Sequence, residues 1–558
     1  MKAPHWLRNF ALFLGGASPL MLSMPAALAA DDVTLSYGLL ELSVSVSSLE
    51  AYAYDNQVDD ELAFYLKFLS EQERVDFREV LTAPLEVAPV TLSQVLYEPL
   101  GEIWLQRMGE VLQTDARQNG ARGLRGALIL AADDEEGLTL LNVMRRFPTP
   151  TLRINSVEIL DVVDTVVELL EQTETAIATL QTQTRTEIAS ADPIDFTQQS
   201  DLTQAGPFSW QTQTLELQDT RRDSVSIGVP ARTFPVDLYL PEQDTPAPLV
   251  VLSHGFAASR TNFIDIAEHL ASHGIAVAAI EHPGSNRQQF ENLLAGNATA
   301  AMAPNEFVDR PQDISYLLDY IETQNQGALA NRFDLNKIGV MGHSFGGYTA
   351  LALAGAQLNV ERLQTHCTTE LADSVNISVP LQCLALESQF EQPLYDERIK
   401  AAFVFNPFTS LIFGEEGLSQ LQTPVLMVAG SDDPFAPALA EQIQPFTWLT
   451  PSDKYLVLMQ GGRHNYVQSD DLPDELSGPD PSRAREYLKT LGLAFVQTHV
   501  VGQSDYRQFL QADYARHLSQ EPLPLTLVQD LSLDPVEEDS VLEEPAADAV
   551  VEEPMVAP

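Results

Sequence analysis

The pentapeptide Gly342-His343-Ser344-Phe345-Gly346 constrains this chain more than any other feature, because of what stands on either side of it. Lys337 to Met341 reads as a short buried strand, and Tyr348-Thr-Ala-Leu-Ala continues as an apolar helix. A strand that enters a helix through so sharp a turn strains the backbone at the serine. Only small residues then fit two positions before and after it. The turn lifts the hydroxyl above the sheet edge and aims the helix N-terminus at any negative charge that develops there. Strands alternating with helices in this way call for a mostly parallel sheet covered on both faces.

The surrounding sequence supplies that sheet. Pro248 to Ser253, Ile275 to Ile280, Ala401 to Phe405, Val425 to Ala429 and Tyr455 to Met459 are apolar runs of strand length, and Gln211 to Leu217 and Thr233 to Leu240 alternate like paired strands. Two short strands are expected at Val33 to Tyr37 and Leu40 to Val46. Helical spacing follows through Asp60 to Leu69, Leu92 to Leu112, Gly120 to Ala132, Thr139 to Arg146 and Val157 to Thr182. The layout expected is a signal peptide at 1–29, a mainly helical domain at 31–189, a linker at 190–208, the α/β domain at 209–520 and a disordered acidic tail at 521–558.

The export segment rests on a basic start at Lys2 and Arg8, an apolar stretch from Phe10 to Leu22 and a small-residue cleavage site at Ala27-Leu28-Ala29. No other run is long and apolar enough to span a bilayer. The expected destination is periplasmic or extracellular, where Cys367 and Cys383 can pair as a disulfide. A net charge of −48, from 79 acidic and 31 basic residues, argues against nucleic acid as a partner.

A serine hydroxyl needs a base, and the base needs an orienting acid. In folds built around this turn they follow in the order serine, acid, histidine. The loop Gly430-Ser-Asp-Asp-Pro-Phe-Ala-Pro follows a late strand and offers Asp433 as the acid, with Asp432 the alternative. The Gly-rich loop Gln460 to Tyr466, after the last expected strand, carries His464 as the base. Two backbone N–H groups would receive a developing oxyanion, those of Phe345 and of Phe256 in the Ser253-His-Gly-Phe-Ala loop. His254 and His343 read as structural, and His282 stands near the pocket without an assigned role. This chemistry calls for no metal and no organic cofactor.

At these residues the chain resembles the plasma-type platelet-activating factor acetylhydrolases, members of the α/β-hydrolase fold. The matching segments are Leu249-Val-Val-Leu-Ser-His-Gly-Phe, Ala271-Ser-His-Gly-Ile-Ala-Val-Ala-Ala-Ile-Glu-His and Gly342-His-Ser-Phe-Gly-Gly, with a fainter match at Gly461 to His464. Dienelactone-hydrolase-like proteins share much of the pattern, though dienelactone hydrolases proper carry cysteine where this chain has Ser344. Leu35-Ser-Tyr-Gly, Tyr97-Glu-Pro-Leu-Gly and Leu141-Asn-Val-Met-Arg-Arg-Phe-Pro resemble the uncharacterised domain that precedes such hydrolases in cyanobacteria. The resemblance implies an exported serine esterase or lipase acting on short-acyl or oxidised phospholipids, with a small-molecule or lipid ester as its partner. A general carboxylesterase or polyesterase is the alternative, and a non-catalytic envelope protein on the same fold is the other. The segment from Val360 to Lys400 has no counterpart in the pattern and is expected as a lid or pocket wall.

Overall fold

A computed structural model describes residues 29–37, 40–222, 231–303, 305–369, 376–390, 393–466 and 477–533. The export segment therefore lies outside the described residues as far as 28. Contacts divide the chain into two compact units, one of residues 1–89 and 108–157, the other of 90–107 and 158–558.

The first unit holds a four-stranded sheet in the order β2-β1-β4-β3, made of β1 Asp32–Tyr37, β2 Leu40–Ser45, β3 Leu112–Gln113 and β4 Thr151–Asn155. Helices α1 Val46–Asp55, α2 Asp60–Leu66 and α3 Glu71–Thr82 follow β2. Each starts on a side-chain cap: Ser45, Asp59 and Ser70 accept from the backbone three residues on, and Glu73 completes a capping box with Ser70. Val33, Val46, Leu49, Tyr52, Leu62, Leu66, Leu81 and Leu141 form the core of this unit. Helix α3 and strand β4 fall where sequence periodicity is weak, and β4 exists through its pairing with β1 and β3.

The helical stretch expected over 92–112 is interrupted at Pro99, giving α4 Pro89–Tyr97 and α5 Pro99–Val111. A proline cannot continue the helical hydrogen-bond ladder. Residues 90–107 of this pair belong to the second unit. Thr91 donates to the Leu294 carbonyl there, and Leu100 packs on the second unit's core. The helix Ser156–Ser190 also joins this unit, with Ala176 and Leu180 inside its core. The unit boundaries thus differ from the expected division at 189. Helical spacing shows that a segment is amphipathic, not which surface covers its apolar face.

The second unit carries a nine-stranded sheet in the order β13-β12-β11-β10-β9-β7-β8-β6-β5. Its strands are β5 Trp210–Asp219, β6 Arg232–Pro241, β7 Ala247–Ser253, β8 Ala276–Ile280, β9 Phe333–His343, β10 Ile399–Phe405, β11 Val425–Gly430, β12 Lys454–Met459 and β13 Leu525–Val528. Strands β8 to β12 and β7 pair in parallel, while β5, β6 and β13 run antiparallel at the two edges. Alternate residues face opposite cores: Leu249 and Val251 of β7 lie on one side, Val250 and Leu252 on the other. Both faces are covered, so these strands read as continuous apolar runs. The strand order reverses at β7, whose neighbours are β8 and β9, and a crevice opens beyond the strand ends at such a point.

Residues 525–528, expected within a disordered tail, are instead the edge strand β13, paired antiparallel with β12. The alternation of Leu525 and Leu527 is too short to outweigh the acidic composition beyond it. Residues 534–558 of that tail lie outside the described residues. The Val360 to Lys400 segment forms two helices, Val360–Thr369 and Ser378–Cys383, joined by a disulfide between Cys367 and Cys383 whose Cα atoms are 5.6 Å apart. Buried Glu441 holds the second of these helices, accepting from Asn376, Ser378 and Gln382.

Candidate active site

Ser344 stands between β9 and the helix Phe345–Ala354, with φ 53° and ψ −116°. Its N–H donates to the Phe405 carbonyl at 3.0 Å, which ties the turn to the end of β10. The two flanking glycines are required by close approach. A Cβ on Gly342 would lie 1.9 Å from the Gly346 carbonyl oxygen, and one on Gly346 would lie 1.9 Å from that of Ser253. A positive φ at a non-glycine residue is strain held by its surroundings, and such strain clusters at functional positions.

Asp433 is buried on the loop after β11, and Asp432 beside it is exposed. One Asp433 oxygen accepts from the backbone N–H groups of Phe435 and Ala436, at 2.8 and 2.9 Å. The other accepts from Asn406 Nδ2 at 2.7 Å and from His464 Nδ1 at 2.7 Å. His464 is 8% exposed, and its ring lies against those of His343 and Phe435. His343 Nε2 donates to the His464 carbonyl at 2.7 Å, which fixes the His343 tautomer and joins the histidine loop to the residue before Ser344. Burial holds the His343 imidazole well below its ordinary range, so it packs neutral. The structure thus brings Asp433 and His464 into direct contact beside the Ser344 turn.

Asn406 was not visible as a site residue. It sits at φ 46° after β10, gives one amide hydrogen to Asp433 and another to the Arg463 carbonyl, and accepts from the Tyr466 hydroxyl at 2.6 Å. One amide therefore spans the acid loop and the histidine loop. The signal available in the sequence was an Asn-Pro pair closing a buried strand, which reads only as a turn.

The loop after β7 lies beside this turn, since Ser253 and Gly342 are register partners. Phe345 directly follows Ser344, and Phe256 lies three residues after Ser253. Among the described residues, neither of their backbone N–H groups meets a protein acceptor. His254 is fully buried. Its Nε2 accepts from the His282 backbone N–H, which leaves Nδ1–H to donate to the Gly255 carbonyl at 2.8 Å. His282 bonds Ser253 Oγ at 3.0 Å and Asp313 at 2.9 Å, and burial, with Arg310 nearby, pushes it down to about 3. It belongs to a buried polar network rather than to the pocket. Burial opposes the charge on Asp313, but Arg232 and Arg222 outweigh it and hold the carboxyl well below the usual range.

The sheet, its order and the strand-turn-helix at Ser344 are those of an α/β hydrolase, and by fold this chain is one. Residues 29–155 match the family described as alpha/beta hydrolase of unknown function (DUF1400), and residues 244–365 match serine aminopeptidase, S33. The second match contains Ser344 and the His254 loop but ends before Asp433 and His464. Among curated proteins, cutinase est2 of Thermobifida alba is 28% identical over 117 residues, covering 21% of this chain and 33% of the cutinase. The platelet-activating factor acetylhydrolase of Canis lupus familiaris is 31% identical over 137 residues, covering 19% and 31%. That of Cavia porcellus is 28% identical over 134 residues, with the same shares. The chain spans about a third of the length of these relatives. The resemblance read from the motifs is borne out at the level of the α/β hydrolases.

Proposed function

We propose that this protein is an exported serine esterase that cleaves carboxylic esters through an acyl-enzyme, with short-acyl or oxidised phospholipids as the preferred substrates. The observation that carries the reading is the Asp433–His464 hydrogen bond beside the strained turn at Ser344. Asp433 holds the His464 proton on Nδ1, so that Nε2 is free to act as a base. His464 takes the Ser344 proton as the hydroxyl attacks the ester carbonyl, and the N–H groups of Phe256 and Phe345 receive the oxyanion. His464 then protonates the leaving alcohol, and water releases the acyl group by the reverse sequence.

Similarity to acetylhydrolases supports the phospholipid substrate, and the disulfide supports export. Similarity to cutinases favours a second reading, a general carboxylesterase or polyesterase with the same residues. The test compares the protein with its Ser344→Ala variant on sn-2-acetyl phospholipid, long-chain phospholipid, p-nitrophenyl butyrate and polyester film, with chelator present. Serine-dependent cleavage that favours the acetyl phospholipid supports the first reading. Turnover of the simple ester and film alone supports the second. No serine-dependent turnover removes both and favours a binding protein.

A further inference from the structure

Arg310 lies on the helix Glu306–Asn325 and is fully buried. Its guanidinium reaches the Ser285 hydroxyl at 3.1 Å and the Ser253 hydroxyl at 3.4 Å, and it donates to the carbonyl of His254. Its guanidinium carbon lies over the Phe345 ring, 4.3 Å from the ring centre. Among the described residues, no carboxylate pairs with it directly. A countercharge reaches it through a hydroxyl: Ser285, which accepts from Arg310, donates its own hydrogen bond to Glu306, and Glu306 is paired with Arg232 at 2.9 Å. Burial pushes the Arg310 guanidinium down to about 9, with Glu306 and Asp313 offsetting part of that effect, and it remains a cation at neutral pH.

A buried cation without a bonded anion is costly, and a neutral donor could satisfy one carbonyl at less cost. The position of this charge accounts for its presence. The residues it grips, His254 and Phe345, flank or supply both proposed oxyanion donors. Holding the His254 carbonyl orients the loop whose next peptide presents the Phe256 N–H. The Gly255 carbonyl, in the same peptide as that N–H, accepts from His254 Nδ1, which polarises the donor further. The Ala257 N–H bonds the Ser285 carbonyl at 2.9 Å and fixes the far side of the loop. A fixed positive charge behind two donors in a water-poor site acts most strongly when negative charge develops in front of them.

We propose that Arg310 is a positioning residue for the oxyanion-binding loop and supplies a fixed positive charge behind both donors, so that it speeds turnover and not substrate binding. This rests on the esterase reading above. The test uses the full chain with Arg310→Gln, which keeps an N–H donor but loses the charge, and Arg310→Lys, which keeps the charge. For each, kcat and KM on p-nitrophenyl butyrate are measured with the affinity of an alkyl boronic acid, whose serine adduct is a tetrahedral anion. Thermal unfolding is followed in parallel.

Direct removal of an oxyanion donor lowers kcat by roughly 10²–10³, so a residue acting through the loop is expected to lower it about tenfold. The glutamine variant should show that loss with KM within about twofold and boronate affinity reduced by the same factor, while the lysine variant keeps most of both. A glutamine variant with kcat within about twofold of the parent overturns the proposal. So does a kcat loss in both variants that follows their unfolding temperatures and leaves boronate affinity unchanged. If the glutamine variant does not fold, the lysine variant decides. A folded lysine variant is expected to keep boronate affinity and kcat within about fivefold, and a larger loss of either overturns the role of charge. Absence of Ser344-dependent turnover in the parent protein is a separate outcome, seen before any variant is made, and it removes the esterase reading together with this proposal.

Discussion

Replacing Asn406 by glycine tests whether one amide holds the acid and histidine loops together. Glycine keeps the φ of 46° available, so the change removes the side chain without adding backbone strain. It deletes the 2.7 Å bond to the Asp433 carboxylate, and hydrogen bonds to charged groups contribute about 1.5–3 kcal/mol. It also leaves the Tyr466 hydroxyl, fully buried and held far above its ordinary range by burial and by Asp433, without its acceptor. A buried polar group stranded in this way costs about 1–3 kcal/mol. The expected loss is therefore about 4 kcal/mol, read as a lower midpoint in urea with an unchanged slope. Activity should fall as well, because the Asp433 oxygen freed by the change is the one bonded to His464. A drop in kcat of about tenfold or more with KM nearly constant is expected on p-nitrophenyl butyrate. Tyr466→Phe removes both the hydroxyl and the stranding term, and the double variant should lose less than the sum of the two singles. A loss of stability below about 1 kcal/mol, together with kcat within twofold, would refute the reasoning.

Three other perturbations read different parts of the structure. Asp433→Asn should lower kcat by about 10⁴ through the wrong histidine tautomer, whereas Asp432→Asn, on the exposed neighbour, should stay within twofold, as measured by steady-state hydrolysis. Exchanging both Cys367 and Cys383 for serine should cost about 3 kcal/mol in denaturant unfolding, and reductant should lower the parent protein to the same midpoint. His282 is held at about 3 against an ordinary 6.5, so the folded state prefers it neutral. Its contribution is complete above pH 6.5 and is lost as the pH falls toward 3. Unfolding temperature should therefore drop steeply between those limits, and His282→Gln should flatten the fall by one proton's worth.

The parts of the site legible in the sequence were those encoded within a few residues. The turn at Ser344 could be read because strand, small residues and helix stand side by side, and the steric reason for them is confirmed by the 1.9 Å approaches at Gly342 and Gly346. Parallel strands such as β7 and β11 were legible as unbroken apolar runs because both their faces are covered. Asn406 and Arg310 were not, because their roles exist only through partners 27 and 56 residues away, Asp433 and His254. His282 reads as a pocket residue until Ser253 and Asp313 are seen on either side of it. β4 and β13 needed their neighbours for the same reason, since a short strand is defined by what it pairs with.

The excursion of residues 90–107 into the second unit bears on how such a chain can be inherited and rearranged. The polar stretch at 190–208 has the composition of a seam, yet a hydrolase freed there would lose Ala176, Leu180 and Leu100 from its own core. Apolar surface of that kind, once bared, invites collapse or aggregation. The preceding region is therefore not a detachable module that recombination could exchange at one cut. A viable exchange must carry at least one helix pair with the hydrolase, and the two halves of the gene are constrained to diverge together.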